Sequence, residues 1–105
     1  MASILVRDVD LFFRGKLEAQ LSGFHDLVTS GQADLAIVDI GKIDLVQAVH
    51  ALAGMPVVAF TTHTDTAGLR AAHQAGFDRV VTRSLISRDA LKMVNDLIRL
   101  HSSSI

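Results

Sequence analysis

Four short apolar runs, set apart by longer stretches with helical spacing, constrain this chain more than any other feature. They are Ser3-Ile4-Leu5-Val6, Asp34 to Ile40, Met55-Pro56-Val57-Val58-Ala59-Phe60-Thr61 and Arg79-Val80-Val81-Thr82. Each is β-branched or continuously apolar instead of alternating with polar residues. A strand of that kind has both faces covered, as in a parallel sheet with helices on either side.

The segments between the runs carry helical patterns. Phe13, Leu17, Leu21, Phe24 and Val28 recur at spacings of four, four, three and four, one face of a helix. Gly23 interrupts that stretch and can split it. Leu45, Val46, Val49, Leu52 and Ala53 form a second helical face, stopped by Gly54. Thr64 or Asp65 can cap a third helix holding Leu69, Ala72 and Ala75, closed by Gly76. Ser87 can cap the last, with Leu91, Val94, Leu97 and Ile98 inward, and the tail Ser102-Ser103-Ser104 frays. The order predicts a small, doubly wound, mostly parallel α/β sheet of four or five strands, with helices on both faces. Residues 1–105 make one domain. Between Asp8 and Ala33 there is room for a helix alone or for a helix and a short strand near Gly23 to Val28. The pattern favours helices without a full strand there.

Composition excludes several function classes. The net charge of −1 shows no bias toward nucleic acid or a membrane surface. Without Trp or Tyr and with five Phe, the chain offers no base-stacking platform. It has no cysteine, hence no disulfide frame, zinc knuckle or thiol nucleophile. No apolar stretch nears the roughly 20 residues of a membrane span, and the N-terminus lacks the pattern of a signal peptide. The expectation is a cytoplasmic domain. There is no Gly-rich phosphate loop, and the five histidines form no metal-ligand spacing.

Open α/β sheets present their chemistry at the C-terminal ends of the strands. Asp8 follows the first run, Asp39 ends the second, Thr61 and Thr62 end the third, and Arg83 follows the fourth. Two acids, hydroxyls and a cation on one rim could manage a phosphoryl group. One carboxylate would be the nucleophile, the other would help to hold Mg²⁺, and Thr61, Thr62 and Arg83 would contact phosphoryl oxygens.

Ile4-Leu5-Val6 with Asp8, Ala33 to Asp39, Pro56 to Thr61 and Ala75 to Arg83 together resemble a response-regulator receiver domain, over nearly the whole chain. The last two segments match in both wording and spacing. The resemblance implies a flavodoxin-like sheet of order 2-1-3-4-5, or a four-stranded version, shortened between the first strand and the Asp39 strand. It places Asp39 at the phosphoacceptor position, Asp8 and Asp39 at the metal site, Thr61 at the switch hydroxyl and Arg83 where receivers usually carry Lys. It implies Mg²⁺ as cofactor and a protein partner, a histidine kinase or a downstream signalling protein, and it allows a homodimer.

The departures from the receiver pattern are as informative. The acidic pair after the first strand lacks one carboxylate, and Arg7 beside Asp8 would oppose a metal ion. Ser84 replaces the usual proline, and a cis bond before a non-proline costs about 2.5–4 kcal/mol. Val80 replaces the switch aromatic, and the loop Ile40-Gly41-Lys42-Ile43 lacks the usual Met-Pro-Gly turn. The expected function is an atypical receiver, a pseudo-receiver with a degenerate metal and phosphorylation site that acts by protein–protein interaction. Its binding surface would be the last helix, the strand before it, and the face Leu45 to Ala53 or Leu69 to Ala75. One alternative is a receiver phosphorylated on Asp39 by a histidine kinase, catalysing at most its own phosphoryl transfer. Another is a small α/β ligand-binding or enzyme domain using the same rim.

Overall fold

A computed structural model describes residues 2–41, 52 and 54–102. Five parallel strands form one sheet in the order β2-β1-β3-β4-β5. The elements run β1 (Ser3–Arg7), α1 (Leu11–Leu21), β2 (Asp26–Val28), β3 (Leu35–Asp39), β4 (Val57–Thr61), α2 (Thr66–Ala75), β5 (Arg79–Thr82) and α3 (Arg83–Ser102). This is the expected flavodoxin-like α/β architecture. Of the second helical face, only Leu52 lies within the described residues. Leu45, Val46, Val49 and Ala53, the loop residues Lys42 and Ile43, and the tail residues Ser103 and Ser104 lie outside them.

The period-two alternation of strand side chains builds two cores. Ile4, Val6, Leu35, Ile37, Val58 and Phe60 point to one face and pack against Phe13, Leu17 and Leu21 of α1 and Ile86, Ala90, Val94 and Leu97 of α3. Leu5, Ala36, Val38, Val57 and Ala59 point the other way, onto Leu52 and Ala72. The same alternation decides the site. Asp39 shares the parity of Leu35 and Ile37, and so looks toward α1 and α3. Thr61 shares the parity of Val57 and Ala59, and so looks toward α2.

The fold corrects the expectation for residues 22–28. The helix ends at Leu21, and Asp26–Val28 is a strand paired with Ser3, Ile4 and Leu5 of β1. Phe24 is exposed, and Val28 lies in the sheet. A parallel crossover usually needs a dozen residues or more, yet β2 reaches β3 with only residues 29–34. Register makes this feasible, because Val28 is level with Leu5 while Leu35 is level with Ile4. The chain therefore crosses β1 without running back along it. Two strand spacings are about 10 Å, and six residues reach about 20 Å. The crossing is pinned where the Asp34 N–H donates to the Ser3 carbonyl and the Ser3 N–H to Asp34 Oδ2, each at 2.8 Å.

His25 locks the turn before β2 and is buried. Its Nδ1 accepts from the Ala2 N–H at 3.1 Å, which puts the ring proton on Nε2, 2.8 Å from Asn95 Oδ1 on α3. The last helix departs from expectation too. It begins at Arg83, directly out of β5, and not at Ser87. Its break falls at Asp89, which has φ −121° and ψ 26°.

Candidate functional site

The rim at the C-terminal ends of the strands holds Asp39, Thr61 and Arg83, but not in the grouping that the positions alone suggest. Asp39 is 3% exposed. Its Oδ1 accepts the Gly41 N–H at 2.9 Å, and its Oδ2 accepts from Arg83 Nη2 at 2.9 Å. Both oxygens are therefore engaged. A carboxylate this deep requires hydrogen bonds and a counter-charge, and the chain supplies both from within.

Arg83 is held from three sides. Its Nη1 lies 3.5 Å from Asp10 Oδ2. Its guanidinium carbon stands 4.7 Å from the Phe13 ring centroid and 5.7 Å from that of Phe60. The two rings stack, with centroids 4.9 Å apart. A planar guanidinium can stack on rings and bridge carboxylates at once, which an ammonium cannot. Asp10 also caps α1, accepting the Phe13 N–H at 2.8 Å. One residue thus starts the helix, orients Phe13 beneath the cation and faces its charge.

The other candidates lie apart from this cluster. Asp8, with φ 59°, pairs at 3.5 Å with Arg7, and both side chains are solvent-exposed. Arg7 does not enter the acid pocket; among the described residues the cation there is Arg83. Thr61 is buried and donates to Asp65 Oδ2 at 2.9 Å. The Thr62 hydroxyl lies 3.3 Å from that of Thr64. Ser84 is exposed, with its hydroxyl 3.3 Å from Thr82 Oγ1. No peptide bond among the described residues is cis, so the bond before Ser84 is trans. Among the described residues no three His, Cys, Asp or Glu side chains converge as metal ligands.

Gly41 connects Asp39 with Thr61. A side chain on Gly41 would come within 3.3 Å of Asp39 Oδ1 and 3.4 Å of Thr61 Oγ1. Glycine therefore leaves one small space flanked by the carboxylate and the hydroxyl. Asp65 then fixes the hydroxyl while capping α2 through the Gly68 N–H at 3.0 Å. The double role of Asp65 was open to sequence reasoning, since it stands four residues past Thr61 and starts a helix. Asp65→Ala is expected to cost about 1–2 kcal/mol in urea unfolding, a lost cap plus a lost hydroxyl acceptor. Asp65→Ser keeps the cap and is expected to lose less.

Neither a protein-family model nor a curated protein sequence matches the chain. Solved structures do. The receiver domain of the TMAO respiratory system response regulator TorR superposes with a TM-score of 0.74 at 17% identity, covering 93% of this chain and 97% of that one. The Francisella response regulator 1452 receiver domain gives 0.77 at 15% identity, covering 96% and 99%. NtrX from Brucella abortus gives 0.77 at 18% identity over 94% of this chain, which spans only 27% of NtrX. The chain has the receiver fold.

Proposed function

We propose that this receiver-fold domain is a two-component signalling module that acts by binding another protein, with Asp39 kept in a standing ion pair and not cycled through a phosphoaspartate. The observation that carries the reading is the 2.9 Å contact between Arg83 and the buried Asp39, whose second oxygen is already taken by Gly41. The partner would be a histidine kinase or a downstream signalling protein. The described residues do not fit a divalent cation. Mg²⁺ needs near-octahedral oxygen ligands, while Asp39 has committed both oxygens and Asp8 is turned to Arg7. The guanidinium takes the place of the metal, and its stacking on Phe13 makes that occupancy part of the packing.

A phosphorylatable receiver is the second reading. The space beside Gly41, flanked by Asp39 and Thr61, favours it. Incubation with acetyl phosphate and Mg²⁺, followed by intact-protein mass spectrometry, separates the two. The standing-pair reading expects no phosphoryl adduct on the native chain. An adduct that disappears in Asp39→Asn would replace it with the second reading.

A further inference from the structure

Beside the acid pocket, and sharing Phe13 and Arg83 with it, lies a cavity of about 490 Å³. That size falls within the roughly 300–1,000 Å³ of small-molecule sites. Its walls come from the start of α1, the loop after β4 and the start of α3. The lining surface is predominantly apolar, as in ligand sites, with cationic and hydroxyl groups at its edge. Lys16 supplies positive charge, Thr62, Thr64, Ser84 and Ser87 supply hydroxyls and His63 an imidazole, while the charge of Arg83 is balanced by Asp39 and Asp10. Among the described residues, no carboxylate lines it.

Phe12 and Lys16 are one helical turn apart on α1 and stand together at this cavity. The Phe12 ring is 78% exposed, an unusual position for so large an apolar group. The Lys16 ammonium sits 5.1 Å from its centroid, and Lys16 has no carboxylate partner among the described residues. An exposed ring beside an unpaired ammonium, in a hollow fringed by hydroxyls, matches a ligand that has a flat apolar body and a negative group. We infer that this cavity binds a small organic anion of the aryl phosphate type. Its ring would lie against Phe12, and its charge would meet Lys16 and the hydroxyls. The cavity shares Arg83 and Phe13 with the Asp39 cluster, but the two residues that carry the inference, Phe12 and Lys16, make no contact with Asp39, so their variants test this site and not the ion pair.

The test uses phenyl phosphate as probe, titrated into the ¹⁵N-labelled full chain and followed by amide chemical shifts. Saturable shifts are expected at Thr62, His63, Thr64 and Ser84. Phenol alone and inorganic phosphate alone are each expected to bind at least about tenfold more weakly, since each lacks half of the match. Phe12→Ala and Lys16→Ala change exposed side chains. Each is expected to weaken phenyl phosphate about tenfold, the scale of one lost charge-assisted or ring contact, with an unchanged circular dichroism spectrum. Absence of saturable shifts would overturn the inference. So would affinity equal to that of inorganic phosphate, or full affinity in both variants.

Discussion

Arg83→Ala is expected to lower the stability of the domain by about 2–3 kcal/mol in urea unfolding at neutral pH. Removing one partner of a buried ion pair costs roughly 3–5 kcal/mol, because the other charge is left uncompensated. The lower figure applies here because the Arg83 side chain is 35% exposed while that of Asp39 is only 5% exposed, so water screens part of the loss. The second variant decides the cause. Asp39→Asn combined with Arg83→Ala removes the stranded charge and is expected to recover about half of the loss. If Arg83→Ala costs less than about 0.5 kcal/mol, the contact has the weight of a surface pair, and the standing-pair reading loses its energetic basis. Arg83→Lys keeps the charge but not the fork and the stacked plane, and is expected to fall between the native chain and the alanine variant.

Phe60→Ala is expected to cost about 3–5 kcal/mol, the range for truncating a fully buried aromatic residue. Phe60 is completely buried and stacks on Phe13 beneath Arg83. Domains of this size have only about 5–15 kcal/mol in total, so a large fraction of the molecules would unfold at modest temperature. The variant also removes part of the platform of the guanidinium. Phe60→Leu refills much of the volume and is expected to cost about 1–2 kcal/mol. Thermal unfolding by circular dichroism orders the three proteins. Equal midpoints for native and alanine forms would contradict the packing described for this face.

The sheet was legible wherever a strand is a β-branched or continuously apolar run, whether central and fully buried like Val57–Thr61 or at the edge like Arg79–Thr82. Val57–Thr61 and Arg79–Thr82 stand out because their β-branched runs are bounded by turn residues, and Asp65 and Gly76 mark the ends of α2 through known cap chemistry. The second strand was not legible. Asp26–Val28 is three residues long, too short for any period to register, and its apolar members fall at helical spacing from Leu17 and Leu21. Tertiary pairing with Ser3 to Leu5 decides its conformation. The start of α3 was missed for a related reason. Ser87 is a good cap in isolation, but the chain leaving β5 turns directly into a helix, and the break falls at Asp89.

The site was partly legible. The sequence places Asp39, Thr61 and Arg83 on one rim, because strand ends do so in any parallel sheet. It does not reveal which cation enters the acid pocket. Arg7 is the nearer candidate along the chain, but side chains at the end of β1 are free to turn outward, and Arg7 meets Asp8 there. The aromatic platform under Arg83 is likewise a three-dimensional fact. Phe13 and Phe60 lie far apart in the chain and meet only because α1 packs on the face of β4 that carries Phe60.

Because α3 follows β5 without an intervening loop, Arg83 is at once the ion-pair partner of Asp39 and the first residue of a helical run that kinks at Asp89 and continues to Ser102. The Asp39 ion pair is therefore fastened to the first turns of that run with no loop between them. The irregular backbone at Asp89 separates those turns from the rest. Both segments are anchored in the same core, the first through Ile86 and the second through Ala90, Val94 and Leu97. The charge balance of the acid pocket and the packing of the helical layer are thus written into one continuous stretch of backbone.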